Sequence, residues 1–179
     1  MARIVIDMDN VMADLTAHYV NSYEASHGIK LDLQALHGVP EGEVLPEGLV
    51  HKLLRSAGFF RTAPVIPGSQ EVIKALMEKY EVFIVSAAME FPLSLKEKLE
   101  WLNEHFPFIS WHNIVFCGSK TIVEADIMID DYDKNLRHFK GRQLLFTAPH
   151  NVHLADYERV NNWEDVAAAL GVEVPAARV

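Results

Sequence analysis

Asp7 and Asp9 stand one residue apart at the close of an apolar run, within IVIDMDNVMAD over residues 4–14. Three more polar groups occupy the same kind of place along the chain. Ser86 ends EVFIVS, Gly118, Ser119 and Lys120 follow NIVFC, and Asp130 and Asp131 follow DIMI. Four carboxylates gathered at one edge would repel one another and raise each other's pKa values unless a cation lay among them. Oxygen donors in an open site favour Mg²⁺, which keeps several waters and takes one or two carboxylates together with a substrate phosphate. A lysine offers such a phosphate a point charge and a serine offers it a hydroxyl donor. The set therefore describes phosphoryl chemistry. Asp7 and Asp9 project to the same side of an extended chain. One carboxylate can attack phosphorus while the other gives a proton to the leaving oxygen and later takes one from water. Mg²⁺ and Lys120 would neutralise charge on the equatorial oxygens of a loose transition state.

Each piece has an ordinary reading when taken alone. A DxD after a strand is a solvated turn or a helix cap, serine caps helices, lysine lies on surfaces, and an Asp pair starts a loop. The order is what carries the chemical reading: DxD, Ser, Lys and Asp-Asp each come directly after a hydrophobic strand.

The elements that must hold these residues are legible in the periodicity. RIVIDM at 3–8 is the β-branched pattern of a strand buried on both faces of a parallel sheet. From Val11 to His27 a helix is expected, with Leu15, Tyr19 and Tyr23 on one face and Gly28 as its stop. The Gly/Pro-spotted stretch after it carries short helical pieces and no strand signal, as an insertion would. Then come a helix at 69–80, a strand at 81–86, a helix near 93–105, a strand at 113–117 and a short helix near 120–124. Strands at 126–130 and 143–147 follow, and a last helix is capped by Asn162. This alternation predicts an α/β fold, a Rossmann-like parallel sheet with helices on both faces and a small helical cap inserted after strand one. In such sheets ligands bind outside the carboxyl ends of the strands, where the four polar groups fall.

Composition excludes other classes. The chain has 179 residues, half of them hydrophobic and 23% charged, with a formal net charge of −9. That is the size of one globular domain, and the acidic balance speaks against a nucleic-acid polymer or an anionic membrane as partner. The lone Cys117 allows no intrachain disulfide and no thiolate metal cluster, which fits a cytoplasmic protein. The N-terminal apolar run is too short for a signal peptide core or a membrane span.

DMDNVMAD, FFRTAPVIPGSQEVIKAL, VFIVSAA and GSKTIVEADIMIDD resemble the motifs of the haloacid dehalogenase superfamily, specifically its 5'(3')-deoxyribonucleotidase branch. LLFTAPHNVHL and NNWEDVAAAL resemble the ending of that branch, so the likeness spans nearly the whole chain. The resemblance implies a Mg²⁺-dependent phosphomonoesterase acting on (deoxy)nucleoside 5'- or 3'-monophosphates through an aspartyl-phosphate. Asp7 would be the nucleophile and Asp9 the acid/base, with Ser86 and Lys120 on the phosphate. Mg²⁺ would be held by the Asp7 side chain, the Asp9 main-chain carbonyl and Asp131, with Asp130 supporting them from behind. Residues 1–14 and 66–179 would form the core and 15–65 the cap. A homodimer is compatible with this reading. The alternatives are a phosphatase of the same mechanism for another small phosphomonoester, such as a sugar phosphate, and, ranked below it, a phospho-acceptor signalling domain.

Three positions depart from the branch pattern. Asn10 replaces the usual Gly and tolerates the same turn. Leu15 replaces an aromatic near the base, and Gly118 stands where an Arg precedes the phosphate lysine. Weaker or less base-selective hydrolysis is expected from the last two, unless Phe59, Phe60 or Arg61 makes up the contacts. His150 and His153 are read as structural or surface residues, and Trp101, Trp111 and Trp163 as packing residues.

Overall fold

The computed structural model describes residues 1–31 and 33–174; the last five positions of the expected core, 175–179, lie outside them. Six strands form one parallel sheet: β1 (Arg3–Ile6), β2 (Glu81–Ser86), β3 (Ile114–Phe116), β4 (Ile127–Asp130), β5 (Arg142–Phe146) and β6 (Glu158–Val160). Their spatial order is β3-β2-β1-β4-β5-β6. The first strand is therefore central, paired with β2 through Ile6↔Ile84 and with β4 through Ile6↔Ile129. That position explains its unbroken run of Ile4, Val5 and Ile6, since both faces need apolar side chains.

Alternate residues feed two layers. Ile4, Ile6, Ile84, Ile129, Leu144 and Phe146 share the larger core with Trp101 and Trp163. Val5, Val85, Met128 and Leu145 face the smaller one with Leu136 and Phe139. Helices α4 (Ser69–Lys79), α5 (Pro92–His105) and α7 (Trp163–Leu170) supply the larger layer, and the short α6 (Asp133–Leu136) part of the other. Asn162 caps α7 by accepting from the Asp165 amide at 2.8 Å, as expected. Trp111 does not pack as expected. It sits 71% exposed in a 3₁₀ turn ahead of the edge strand β3, where no layer covers it, stacked on His112.

Helix α1 (Leu15–His27) begins at Leu15 rather than Val11. Residues 8–13 instead close a tight turn in which the Met12 and Ala13 amides donate to the Met8 carbonyl, both at 2.9 Å, and Asn10 takes φ 54°. Asp14 caps the helix through the Ala17 amide at 2.8 Å. Beside this turn the segment carrying α1 (Leu15–His27), α2 (Glu41–Val44) and α3 (Leu49–Leu54) leaves and rejoins the sheet. Ala13 pairs antiparallel with Val65, the Asp14 amide donates to Pro64 O at 2.8 Å, and the Trp101 indole donates to Ala63 O at 2.8 Å. Among the described residues no helix is long and apolar enough to cross a membrane.

Candidate active site

The register of β1 and β4 decides where the acids meet. Asp7 continues β1 by donating its amide to Ile129 O at 2.9 Å, so its side chain arrives beside the end of β4. There Asp7, Asp130 and Asp131, all buried, each offer an oxygen within 4.8 Å of the others. Lys120, from the 3₁₀ turn after β3, inserts its Nζ 2.5 Å from Asp7 Oδ1 and 2.6 Å from Asp130 Oδ2. Asp130 is further satisfied by the Tyr132 amide at 2.9 Å and by Asn135 Nδ2 at 3.0 Å. Asp131 Oδ2, by contrast, is buried with no hydrogen-bond donor, as is Asp9 Oδ1. His150 Nε2 stands 3.5 Å from Asp131 Oδ2.

A second lysine, Lys98 on α5, places its Nζ 2.6 Å from Asp9 Oδ2 and 2.8 Å from Ser86 Oγ. Four carboxylates thus face two ammonium groups, and the two remaining negative charges are what a divalent cation would balance. The donors are all hard oxygens, and two buried carboxylate oxygens, Asp131 Oδ2 in the cluster and Asp9 Oδ1 near it, are unsatisfied, so the residues present fit a small hard cation.

Electrostatics follow from burial. Desolvation pushes Asp7 up to about 7 against the pull of Lys120, with Asp130 and Asp9 adding to the rise. Burial, then the charges of Asp7 and Asp130, hold Asp131 well above the usual carboxylate range. Although burial opposes it, Asp130 and Asp7 raise Lys120, keeping it cationic. A carboxyl with a raised folded pKa adds stability below its unfolded pKa and loses that contribution as pH rises through its folded value. In EDTA, Asp131→Asn is therefore expected to melt above the wild type at pH 8, the gap closing toward pH 4. The gain should be roughly 2 to 4 °C for each kcal/mol of repulsion relieved. An Asp131→Asn protein that melts lower than wild type at pH 8 would contradict this account of the cluster.

A cavity of about 340 Å³ opens over the cluster. Asp7, Asp9, Lys120 and Asp131 line it with Leu15 and Phe60, all named by the sequence. Ser86 does not reach the wall; it lies beneath Lys98, 1% exposed. Phe59 also stays behind, packed on His18 and Tyr19 at 4.5 and 5.1 Å between ring centroids. Arg61 points away to Glu100 and Glu104 on α5, which removes it from the expected substitutes. Gly118 lies outside the lining, with Met89 as the neighbour its missing Cβ would meet. Tyr19, Phe91 and Tyr132 complete an aromatic wall that the sequence did not reveal.

Lys98 was missed as well, yet it left a signal. Ser94, Lys98, Trp101 and Leu102 are all buried, one face of α5, so Lys98 falls among core positions while Lys96 turns outward. An inward lysine requires an acidic partner. His150 belongs to the structural class expected of it, but it is packed against Asp131, not at the surface.

A family model described as 5' nucleotidase, deoxy (pyrimidine), cytosolic type C protein matches residues 1–176. A 5'(3')-deoxyribonucleotidase of Bacillus subtilis (strain 168) is 45% identical over 170 residues, covering 93% of this chain and 97% of the relative. A 5'(3')-deoxyribonucleotidase of Bacillus phage SPbeta shares the same figures. Among solved structures, a HAD family hydrolase from Deinococcus radiodurans R1 with bound phosphate and sodium aligns at a TM-score of 0.65 and 17% identity, over 96% of this chain and 95% of that one.

Proposed function

The chain belongs to the 5' nucleotidase, deoxy (pyrimidine), cytosolic type C family within the haloacid dehalogenase superfamily, and from that membership we propose how its residues carry out phosphomonoester hydrolysis. It is a phosphoric monoester hydrolase of the nucleotidase type, and its substrate here is taken as a deoxynucleoside monophosphate in the cytoplasm. The observation that carries the assignment of roles is the buried Asp7–Lys120–Asp130 chain at the end of the central strand, beneath an aromatic-walled cavity.

Asp7 attacks phosphorus through a carboxylate oxygen, forming an O–P bond as the bond to the leaving oxygen breaks. Asp9 gives that leaving oxygen a proton and then removes one from the water that splits the aspartyl-phosphate and releases Asp7. Lys98 pins one Asp9 oxygen and leaves the other for proton transfer. Lys120 faces the equatorial oxygens. The Asp7 and Asp131 side chains and the Asp9 main-chain carbonyl would hold Mg²⁺. Asp130 is left out because Lys120, Tyr132 and Asn135 already engage its oxygens. Bound there, Mg²⁺ supplies charge neutralisation at the phosphoryl group. Ser86, beneath Lys98, orients that lysine and through it the phosphate. Residues 15–65 act as the cap that excludes water from the site.

Asp9→Asn is expected to keep its Mg²⁺ dependence and lose 10²- to 10⁴-fold in kcat, roughly 3 to 5 kcal/mol of barrier. Asp131→Asn should instead raise the Mg²⁺ concentration needed for half-maximal rate. Titration of activity against Mg²⁺ separates the two, and identical Mg²⁺ curves would contradict the roles.

The aromatic wall bears on substrate choice. Leu15 and Gly118 offer neither a π-face nor a charge, but Phe60, Phe91, Tyr19 and Tyr132 surround the space above the acids. Base stacking on one of these rings is worth about 0.5 to 1.5 kcal/mol beyond burial, while a lost charge-assisted hydrogen bond costs about 1.5 to 3. The charge loss prevails, so deoxynucleotides should be hydrolysed with weak discrimination among bases. The check is kcat/KM at fixed Mg²⁺ over dUMP, dTMP, dGMP, 3'-monophosphates and simple sugar phosphates. A sharp preference for one pyrimidine refutes the weak discrimination; negligible nucleotide activity beside good sugar-phosphate activity overturns the substrate class.

A further inference from the structure

Asp131, whose side-chain Oδ2 lacks a hydrogen-bond donor, is held from its backbone. Its carbonyl oxygen accepts two hydrogen bonds, from Asn151 Nδ2 at 2.8 Å and from His150 Nε2 at 3.1 Å. Both donors come from the 3₁₀ turn Pro149–Asn151 in the connection between β5 and β6. Asn151 is 1% exposed, and every group it offers is used. Its Nδ2 also donates to Phe146 O at 2.8 Å, joining the end of β5 to the residue after β4. Its Oδ1 accepts from the Ala148 amide at 3.2 Å and from Arg159 Nη1 at 2.9 Å. Arg159, on β6, forks around the same turn: Nη2 donates to Asn151 O at 3.0 Å and to Leu154 O at 2.5 Å, and Nη1 to Thr147 Oγ1 at 3.1 Å. These acceptors are neutral oxygens, so the guanidinium acts here as a rigid bracket making four hydrogen bonds and not as half of an ion pair.

A carboxylate can bind a cation with the required geometry only if its own main chain is fixed. We infer that Asn151 is a positioning residue for the Asp131 carboxylate, and that Arg159, a strand further out, acts through Asn151, so that the affinity for the divalent cation is set partly by the sheet edge. The inference rests on Asp131 being a ligand, as proposed above. His150 shares the task at the same carbonyl, with its ring stacked on Tyr132 at 4.3 Å between centroids.

The test is calorimetric titration of MgCl₂ into the EDTA-stripped full-length protein, without substrate, alongside its melting temperature and the kcat at saturating Mg²⁺. Asn151→Ala should raise the Mg²⁺ dissociation constant about 10- to 100-fold, the usual range for groups that orient a metal ligand. Arg159→Met should raise it less, by at least about threefold, with Arg159→Lys no full rescue because an ammonium cannot fork. The double variant should bind about as weakly as Asn151→Ala alone, because the two act in series. kcat at saturating Mg²⁺ should stay near wild type in Arg159→Met, since Asp7 and Asp9 are untouched. Should Asn151→Ala fail to fold, Arg159→Met alone carries the test. Wild-type Mg²⁺ affinity in Arg159→Met, or in Asn151→Ala with only a lowered melting temperature, would overturn the inference. So would multiplying effects in the double variant. Asp131→Asn in the same titration separates the two failures. If it binds Mg²⁺ as wild type does, the ligand assignment itself is wrong; if it loses binding while the other variants keep theirs, only the positioning claim falls.

Discussion

Asp7→Asn is expected to abolish turnover, with kcat down by at least about 10⁴-fold, the scale set by removal of a covalent nucleophile, while retaining the fold. The chemical reason is that an amide cannot attack phosphorus. The structural reason to expect a folded protein is that the amide oxygen can still accept from Lys120, whose Nζ lies 2.5 Å from Asp7 Oδ1. The variant also sheds a buried charge whose desolvation dominates its raised pKa. Its melting temperature in EDTA should therefore equal or exceed that of the wild type. Steady-state phosphate release and thermal melts decide the matter. Near-wild-type hydrolysis would sink the aspartyl-phosphate route, and an unfolded variant would show that Asp7 is needed for structure first.

Lys120→Met is expected to lose both stability and activity, for separable reasons. The ammonium lies buried between Asp7 and Asp130, and breaking a buried ion pair from one side costs about 3 to 5 kcal/mol. For a chain of this size each kcal/mol shifts the melting temperature by about 2 to 4 °C, so a fall of roughly 6 to 20 °C should be seen in EDTA. Adding Asp130→Asn removes one of the two carboxylates stranded by the first change, and the double variant should regain part of that loss. Turnover should not return, because the Lys120 ammonium that faces the equatorial oxygens is still missing. A Lys120→Met protein with wild-type melting behaviour would contradict the buried triad, and recovery of activity in the double variant would assign Lys120 a purely structural task.

Much of this was legible in the residues because the signals were local. The strand ends at Asp7, Ser86, Lys120 and Asp130 follow from period and β-branching, and β2 occupies 81–86 as its sequence predicts. The fold class and the mutual approach of Asp7, Lys120, Asp130 and Asp131 follow from placing those ends on one sheet edge. What the sequence hid depends on partners distant along the chain. Lys98 looks like one more lysine in LSLKEKLE until Asp9, 89 positions away, is placed against it. Strand β6 is three residues long, ERV, too short and too polar for alternation to reveal it. Residues 11–14 precede the helix although the four-residue spacing of Leu15, Tyr19 and Tyr23 predicts one from Val11 onward. The Asp14 cap and the pairing of Ala13 with Val65 hold the chain back from helix until Leu15. Which aromatic side chains reach the cavity depends on how α1–α3 fold over it, and neighbouring residues such as Phe59 and Phe60 give identical local signals.

The central place of β1 in the sheet has a consequence for the synthesis of the protein. Its two neighbours, β2 and β4, begin some 78 and 124 residues later, so β1 has no partner strand until β2 has been made and is not flanked on both sides until β4 follows. At roughly 5 to 20 residues per second of synthesis, IVI waits many seconds as an unpaired apolar segment, and parallel pairing across such separations is intrinsically slow. Asp7 and Asp9, next to that segment, place charge beside it throughout the wait. The same carboxylates that strain the finished protein can thus act, earlier, as gatekeepers against self-association of the nascent chain.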